Sequence, residues 1–190
     1  MFMVDKKDAA GKKHFIFTLT LAEALLVTLF GVMTAITSAV VRLPLHIPGH
    51  TGLLFMFMLT LSCIIVRKFG AGTLAGFIAG FVVVLVAPGT KGFFAVFDFM
   101  LPGLFLDAFI FLFPGMADRW YSMGLLAGTA HLTKLLSTYI VGTLLHLPLG
   151  FLFIGLGMAL LFHFLFGFGG GVIACLARER VGFLQKISKQ

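Results

Sequence analysis

Six apolar runs, at about 15–41, 52–68, 70–88, 92–113, 121–145 and 150–177, fill most of the chain and are separated by short polar breaks. A helix that crosses a bilayer needs roughly 17–25 mostly apolar residues, and these runs match that length or come close to it. The runs are continuous, whereas the strands of a membrane barrel would alternate apolar and polar residues over roughly 10 positions. The pattern predicts an all-α integral membrane protein: a single domain over residues 1–190, built as a bundle of six transmembrane helices.

Composition strengthens this reading. With 60% hydrophobic residues, 11% charged residues and a mean hydropathy of +1.11, the chain lacks the charged surface of a soluble domain. The first run is too long for a signal-peptide core and has no small-residue cleavage site after it, so it is expected to stay as a span.

The formal charge of +7 could suggest nucleic acid, but the cations sit in breaks between apolar runs and form no basic face. They report topology instead. Lys6, Lys7, Lys12, Lys13, Arg67, Lys68, Arg119, Arg178, Arg180, Lys186 and Lys189 fall on one side, against only Arg42 and Lys91 on the other. Lys134 lies within a run. The positive-inside rule then puts both termini in the cytoplasm, and the stretch "RLPLHIPGHTG" at 42–52 outside.

Small residues recur every four positions in several runs: Gly31, Ala35 and Ala39 in the first, and Gly72, Gly76 and Gly80 in the third. The sixth carries Gly155, Ala159, Gly167 and Gly171. Such stripes let helix backbones approach closely. Internal packing accounts for most of them, and one is available for a partner subunit.

Ionisable residues inside apolar runs call for a reason, because each costs ~2.5–3.5 kcal/mol at mid-membrane even on the lenient insertion scale. Glu23 is near the end of its run, where it can pair with a basic neighbour. Asp98 and Asp107 are nine residues apart, which puts them on opposite faces of a helix. Pro102 between them removes a backbone donor and frees the Asp98 carbonyl. In the fifth run Ala127, His131, Lys134, Thr138 and Gly142 form one narrow polar and small stripe. Lys134 is expected to pair with Asp98, or with Asp107 and His131. That pairing either locks two helices together or leaves Lys134 and Asp98 to bind a polar group of a ligand.

Enzyme chemistry finds no support. There is no G-x-S-x-G, no H-E-x-x-H and no nucleotide-binding loop, so the chain is not expected to be an enzyme and any ATP would be used on another subunit. A proton-linked carrier or intramembrane enzyme using Asp107, His131 and Lys134 stays open as an alternative. His46 and His50 are four apart, but Pro48 and Gly49 between them predict a turn, which argues against a helical metal clamp. A metal- or haem-binding uptake subunit using this pair is the other alternative; no metal or cofactor is expected. Cys63 and Cys175 read as buried free thiols.

In size, in its six spans and in the first run "LLVTLFGVMTAITSAV", the chain resembles the substrate-binding S components of energy-coupling factor transporters, which take up vitamins and related micronutrients. The resemblance implies a small ligand captured from outside, with a transmembrane coupling subunit and ATPase subunits in separate chains. Gly31, Ala35 and Ala39 would correspond to the family's A-x-x-x-A surface for the coupling subunit, with Gly31 where alanine is usual. The 42–52 stretch would cap an outward-facing cavity lined by the fourth to sixth helices. Arg42, His46, His50, Asp98, Lys134 and His146 then become the candidate substrate-binding residues. The Met-His start of the nickel and cobalt members is absent, so a free metal ion is not the expected cargo.

The supply of aromatic residues bears on the ligand. With 24 Phe, one Trp and two Tyr, the chain is poor in the rings that best hold a flat cation. An apolar or anionic ligand fits Phe, Arg42, Lys134 and the histidines better.

Overall fold

A computed structural model of the chain describes residues 19–40, 51–86, 91–146 and 156–187. They form six α-helices: α1 Leu21–Val40, α2 Gly52–Val66, α3 Ala71–Val86, α4 Ala95–Leu112, α5 Trp120–Leu144 and α6 Leu156–Ile187. Short 3₁₀ turns, Gly92–Phe94 and Pro114–Asp118, precede α4 and α5. Three helical stretches, Leu21–Ala39, Gly92–Leu112 and Leu156–Arg180, are long and apolar enough to cross a membrane. Gly52–Val66 and Ala71–Val86 are apolar but shorter.

α2 is the hub. It touches all five other helices, while around it α1 packs on α3, α3 on α4, α4 on α5, and α5 on α6. The core follows from this: Phe55, Met56, Leu59, Cys63 and Ile64 of α2 are almost fully buried. An apolar residue at nearly every α2 position is what a helix surrounded by others requires.

Local signals set the helix ends. Thr20 and Glu23 form a capping box at the start of α1: the Thr20 backbone N–H and hydroxyl donate to Glu23 Oε2 at 2.7 and 2.9 Å, and the Glu23 N–H returns to Thr20 Oγ1 at 3.3 Å. Glu23 also accepts from Lys68 Nζ at 2.8 Å, which ties the start of α1 to the α2–α3 turn. α2 ends at Arg67, whose φ of 51° is left-handed and whose N–H closes on the Cys63 carbonyl at 2.9 Å. Asp118 bridges Arg67 at 2.5 Å and Arg178 at 3.7 Å, joining three elements at this basic end of the bundle.

Glycines make the helix contacts close. On α3, Gly72, Gly76 and Gly80 face α4, and a side chain on Gly103 of α4 would run into the backbone of Gly72 and Thr73. The glycine-rich "GFGGGV" of α6 is close packing: Gly170 lies on the backbone of Leu53 and Phe57 in α2, and Gly171 on Met123 and Ala127 in α5. Because the obstacle at Gly103 is backbone, Gly103→Ala must push α3 and α4 apart. It is expected to cost about 1–3 kcal/mol, read as a lower melting temperature of the detergent-purified protein. A parent-like melting curve would contradict this packing.

The stripe on α1 goes to an internal contact. Gly31 sits against the Ala75 carbonyl and the Ile78 side chain of α3, and Ala35 is 1% exposed. Of the stripe expected to meet a coupling subunit, Gly31 lies at the α1–α3 contact and Ala35 is buried within the bundle. Ala39 is half-buried. The outward side of α1 is a row of large apolar residues, Leu21, Leu25, Leu29, Met33 and Ile36.

Candidate ligand-binding site

Nine residues at 100° each turn Asp98 and Asp107 to opposite sides of α4, and α4 lies between α3 and α5. The two carboxylates consequently serve different neighbours. Asp107 faces α3, where Oδ1 accepts the Gly72 backbone N–H at 2.9 Å and Oδ2 accepts both the backbone N–H and the hydroxyl of Thr73 at 2.7 Å. The Cys63 thiol lies 3.8 Å from Oδ1. α3 starts at Ala71, so these amides belong to a first turn that has no carbonyl partners within its own helix. Asp107 is an N-cap supplied by another helix, with its carboxylate at the positive end of the α3 dipole.

Among the described residues Asp107 bonds to Gly72 and Thr73 of α3 and not to His131 or Lys134, the residues with which the sequence grouped it. Nine residues also separate Asp107 from Asp98 by about 13 Å along the helix, toward the basic end.

Asp98 faces α5. Its Oδ1 accepts from the Ser137 hydroxyl at 2.8 Å, and its Oδ2 pairs with Lys91 Nζ at 2.5 Å. Lys91 comes from the turn before α4 and also donates to Thr138 Oγ1 at 2.7 Å. The side chains of Lys91 and Asp98 are 19% and 9% exposed. Four side chains from two helices and one turn thus close a polar clasp near the end of the bundle opposite the basic one. Pro102 lies within α4, which continues unbroken from Ala95 to Leu112.

Lys134 departs from the expectation. Asp98 is held by Lys91, and among the described residues the Lys134 ammonium has neither an ion pair nor a hydrogen bond. It lies over two phenylalanine faces instead, 4.8 Å from the Phe99 ring centre and 5.0 Å from that of Phe55. The two rings meet edge to face at 5.3 Å. A cation–π contact contributes about 0.5–2 kcal/mol, while effective desolvation of an ion costs several, so the two faces offset only part of that cost. Asp98 and Lys91 both act on Lys134 through space, with opposite signs. Among the described residues, two lysine side chains and one carboxylate meet here, an excess of one basic group.

Below Lys134 the aromatic lining continues. The His131 ring lies 5.6 Å from Phe55 and 4.8 Å from His163 of α6. His131 Nδ1 is 2.8 Å from the His163 carbonyl, and His163 Nδ1 is 2.9 Å from the Ala159 carbonyl. A carbonyl oxygen only accepts, so Nδ1 carries a proton in both rings. Gly52, the first residue of α2, rests on the His131 ring with no room for a side chain.

Of the residues read as ligand contacts, Asp98 and Lys134 are brought into one region. Arg42, His46 and His50 lie outside the described residues. His146 stands apart: it is exposed just past the end of α5, with a left-handed φ of 53° and its N–H on the Thr143 carbonyl at 3.2 Å. Lys91, Ser137, Phe55 and Phe99 were missed. Only Lys91 carried a signal, as one of two cations in the breaks of the cation-poor side.

Ser137 is bonded to Asp98, and among the described residues no group of three His, Cys, Asp or Glu side chains could hold a metal ion. No protein-family profile, curated protein or solved structure matches this chain. Its chemistry is therefore argued from the residues themselves. What the arrangement can do is bind: a polar clasp, a half-buried cation and aromatic faces converge at one end of an apolar bundle.

Proposed function

We propose that this chain is the substrate-binding subunit of an ATP-driven importer of the energy-coupling factor type, taking a small vitamin-like micronutrient from the outer side of the plasma membrane. Both termini lie in the cytoplasm, and the six helices span the bilayer. A transmembrane coupling subunit and ATPase subunits, in other chains, supply the energy.

One observation carries the reading. Lys134, over the Phe55 and Phe99 rings, and the clasp of Lys91, Asp98 and Ser137 lie in the half of the bundle that the cation distribution assigns to the outside. Ionisable residues within an apolar bundle mark ligand or ion pathways more often than ordinary packing does. The three apolar helices long enough to cross a membrane are consistent with this setting.

Native mass spectrometry of the gently purified chain tests the proposal. A co-purified small molecule, displaced by one member of a vitamin panel, is the expected outcome, with no ATP hydrolysis by the chain alone. Repeated recovery of ligand-free protein that binds nothing in the panel would remove the reading.

A further inference from the structure

We infer that Lys134 receives the anionic group of the ligand, and that the ligand is a monoanion, such as a carboxylate, on a flat or apolar body. This rests on the transport reading above and narrows it to a substrate class.

The first support is the assignment of Asp98. Both of its oxygens are taken, one by the Ser137 hydroxyl and one by Lys91 Nζ. Lys91 in turn donates to Thr138, whose own hydroxyl donates to the Lys134 carbonyl at 2.8 Å. The clasp is closed on itself, and no described acceptor is left for Lys134.

The second support is what surrounds the ammonium. The Lys134 nitrogen lies over the Phe55 and Phe99 rings, which offer a quadrupole but no lone pairs to its N–H donors. Those rings are 1% and 6% exposed, whereas Lys134 keeps accessible surface. A group that reaches Lys134 therefore meets its amino group, with the two buried rings behind it. An anion completes the donors and neutralises the excess charge in one step; a cation would add to it. A dianion would overshoot it, and a neutral amide would satisfy hydrogen bonds but leave the charge.

An anionic lipid headgroup shares this chemistry with a soluble acid, so the test separates the two. The detergent-purified full chain, and the chain in phosphatidylcholine nanodiscs, is titrated with matched pairs: biotin and biotinamide, pantothenate and panthenol, nicotinate and nicotinamide, lipoate and lipoamide. The expected result is that the acid of one pair raises the melting temperature and its neutral partner does not. Lys134→Met should weaken acid binding about 10- to 100-fold, while Lys134→Arg, which keeps the charge, retains most of it. If Lys134→Met fails to fold, the Lys134→Arg titration and the acid–neutral comparison on the parent chain still decide.

Equal binding of acid and neutral partner, an unchanged affinity in Lys134→Met, or a co-purified ligand that is neutral or cationic overturns the inference and leaves the transport reading standing. Stabilisation by phosphatidylglycerol alone, lost in Lys134→Met, assigns the ammonium to a lipid and also overturns it. Absence of any bound molecule, from the panel or from purification, overturns both.

Discussion

Asp98→Ala is expected to destabilise the purified protein by about 3–5 kcal/mol, because it removes the one carboxylate that, among the described residues, lies beside the Lys91 and Lys134 side chains. The loss has three parts: Lys91 loses its ion pair, the Ser137 hydroxyl loses its acceptor, and the repulsion between Lys91 and Lys134 is no longer balanced. The second change identifies the partner. Lys91→Met in the Asp98→Ala background should recover more than half of the loss, and Lys134→Met distinctly less, since Lys91 and not Lys134 touches the carboxylate. Thermal unfolding of the single and double variants measures both effects. Better rescue by Lys134→Met would mean that the Lys91–Asp98 pair is not the one that matters.

Asp107→Ala is the other large effect, expected at about 3 kcal/mol. It leaves the Gly72 and Thr73 amides and the Thr73 hydroxyl without their acceptor at the buried start of α3. Asp107→Asn keeps an oxygen for one or two of these donors but turns its own NH₂ toward the rest, so it should fall between alanine and the parent. Ligand binding separates the two aspartates: Asp107→Asn, away from the clasp, should leave affinity unchanged in whatever protein remains folded. The melting temperatures of Asp107→Ala and Asp107→Asn, with affinity measured below both, are the check. If Asp107→Ala melts with the parent, the cap contributes nothing to stability.

Much of the fold was legible because its signals are local. Six continuous apolar runs demand helices, and the nine-residue interval between Asp98 and Asp107 dictates opposite faces whatever the neighbours are. The polar stripe on α5 also pointed at Lys134 from spacing alone. Helix ends were less legible. α6 continues to Ile187, past the apolar run, because the polar residues that follow are themselves good helix formers.

Partner choice was not legible. Lys91 read as a charge that reports orientation, since it stands in a break between runs, outside α4 and before the 3₁₀ turn that leads into it. Gly31 and Ala35 read as a surface for another subunit, yet Gly31 lies against α3 and Ala35 is buried. A stripe of small residues specifies that something comes close; it does not specify what. Phe55 and Phe99 could not be picked out among 24 phenylalanines, because only their approach to Lys134 distinguishes them.

The sequence by itself determined the all-helical class, the number of helices and the residues within apolar runs that need a reason to be there, because these depend on composition and on periods of a few residues. The tertiary structure decided that Asp107 caps α3, that Lys91 claims Asp98, and that Lys134 lies over two rings with no ion pair among the described residues. The physical reason is that helices apolar on every side carry little record of which neighbour they meet. That choice is made where glycines allow backbones to touch, and it settles which charges come within reach of one another.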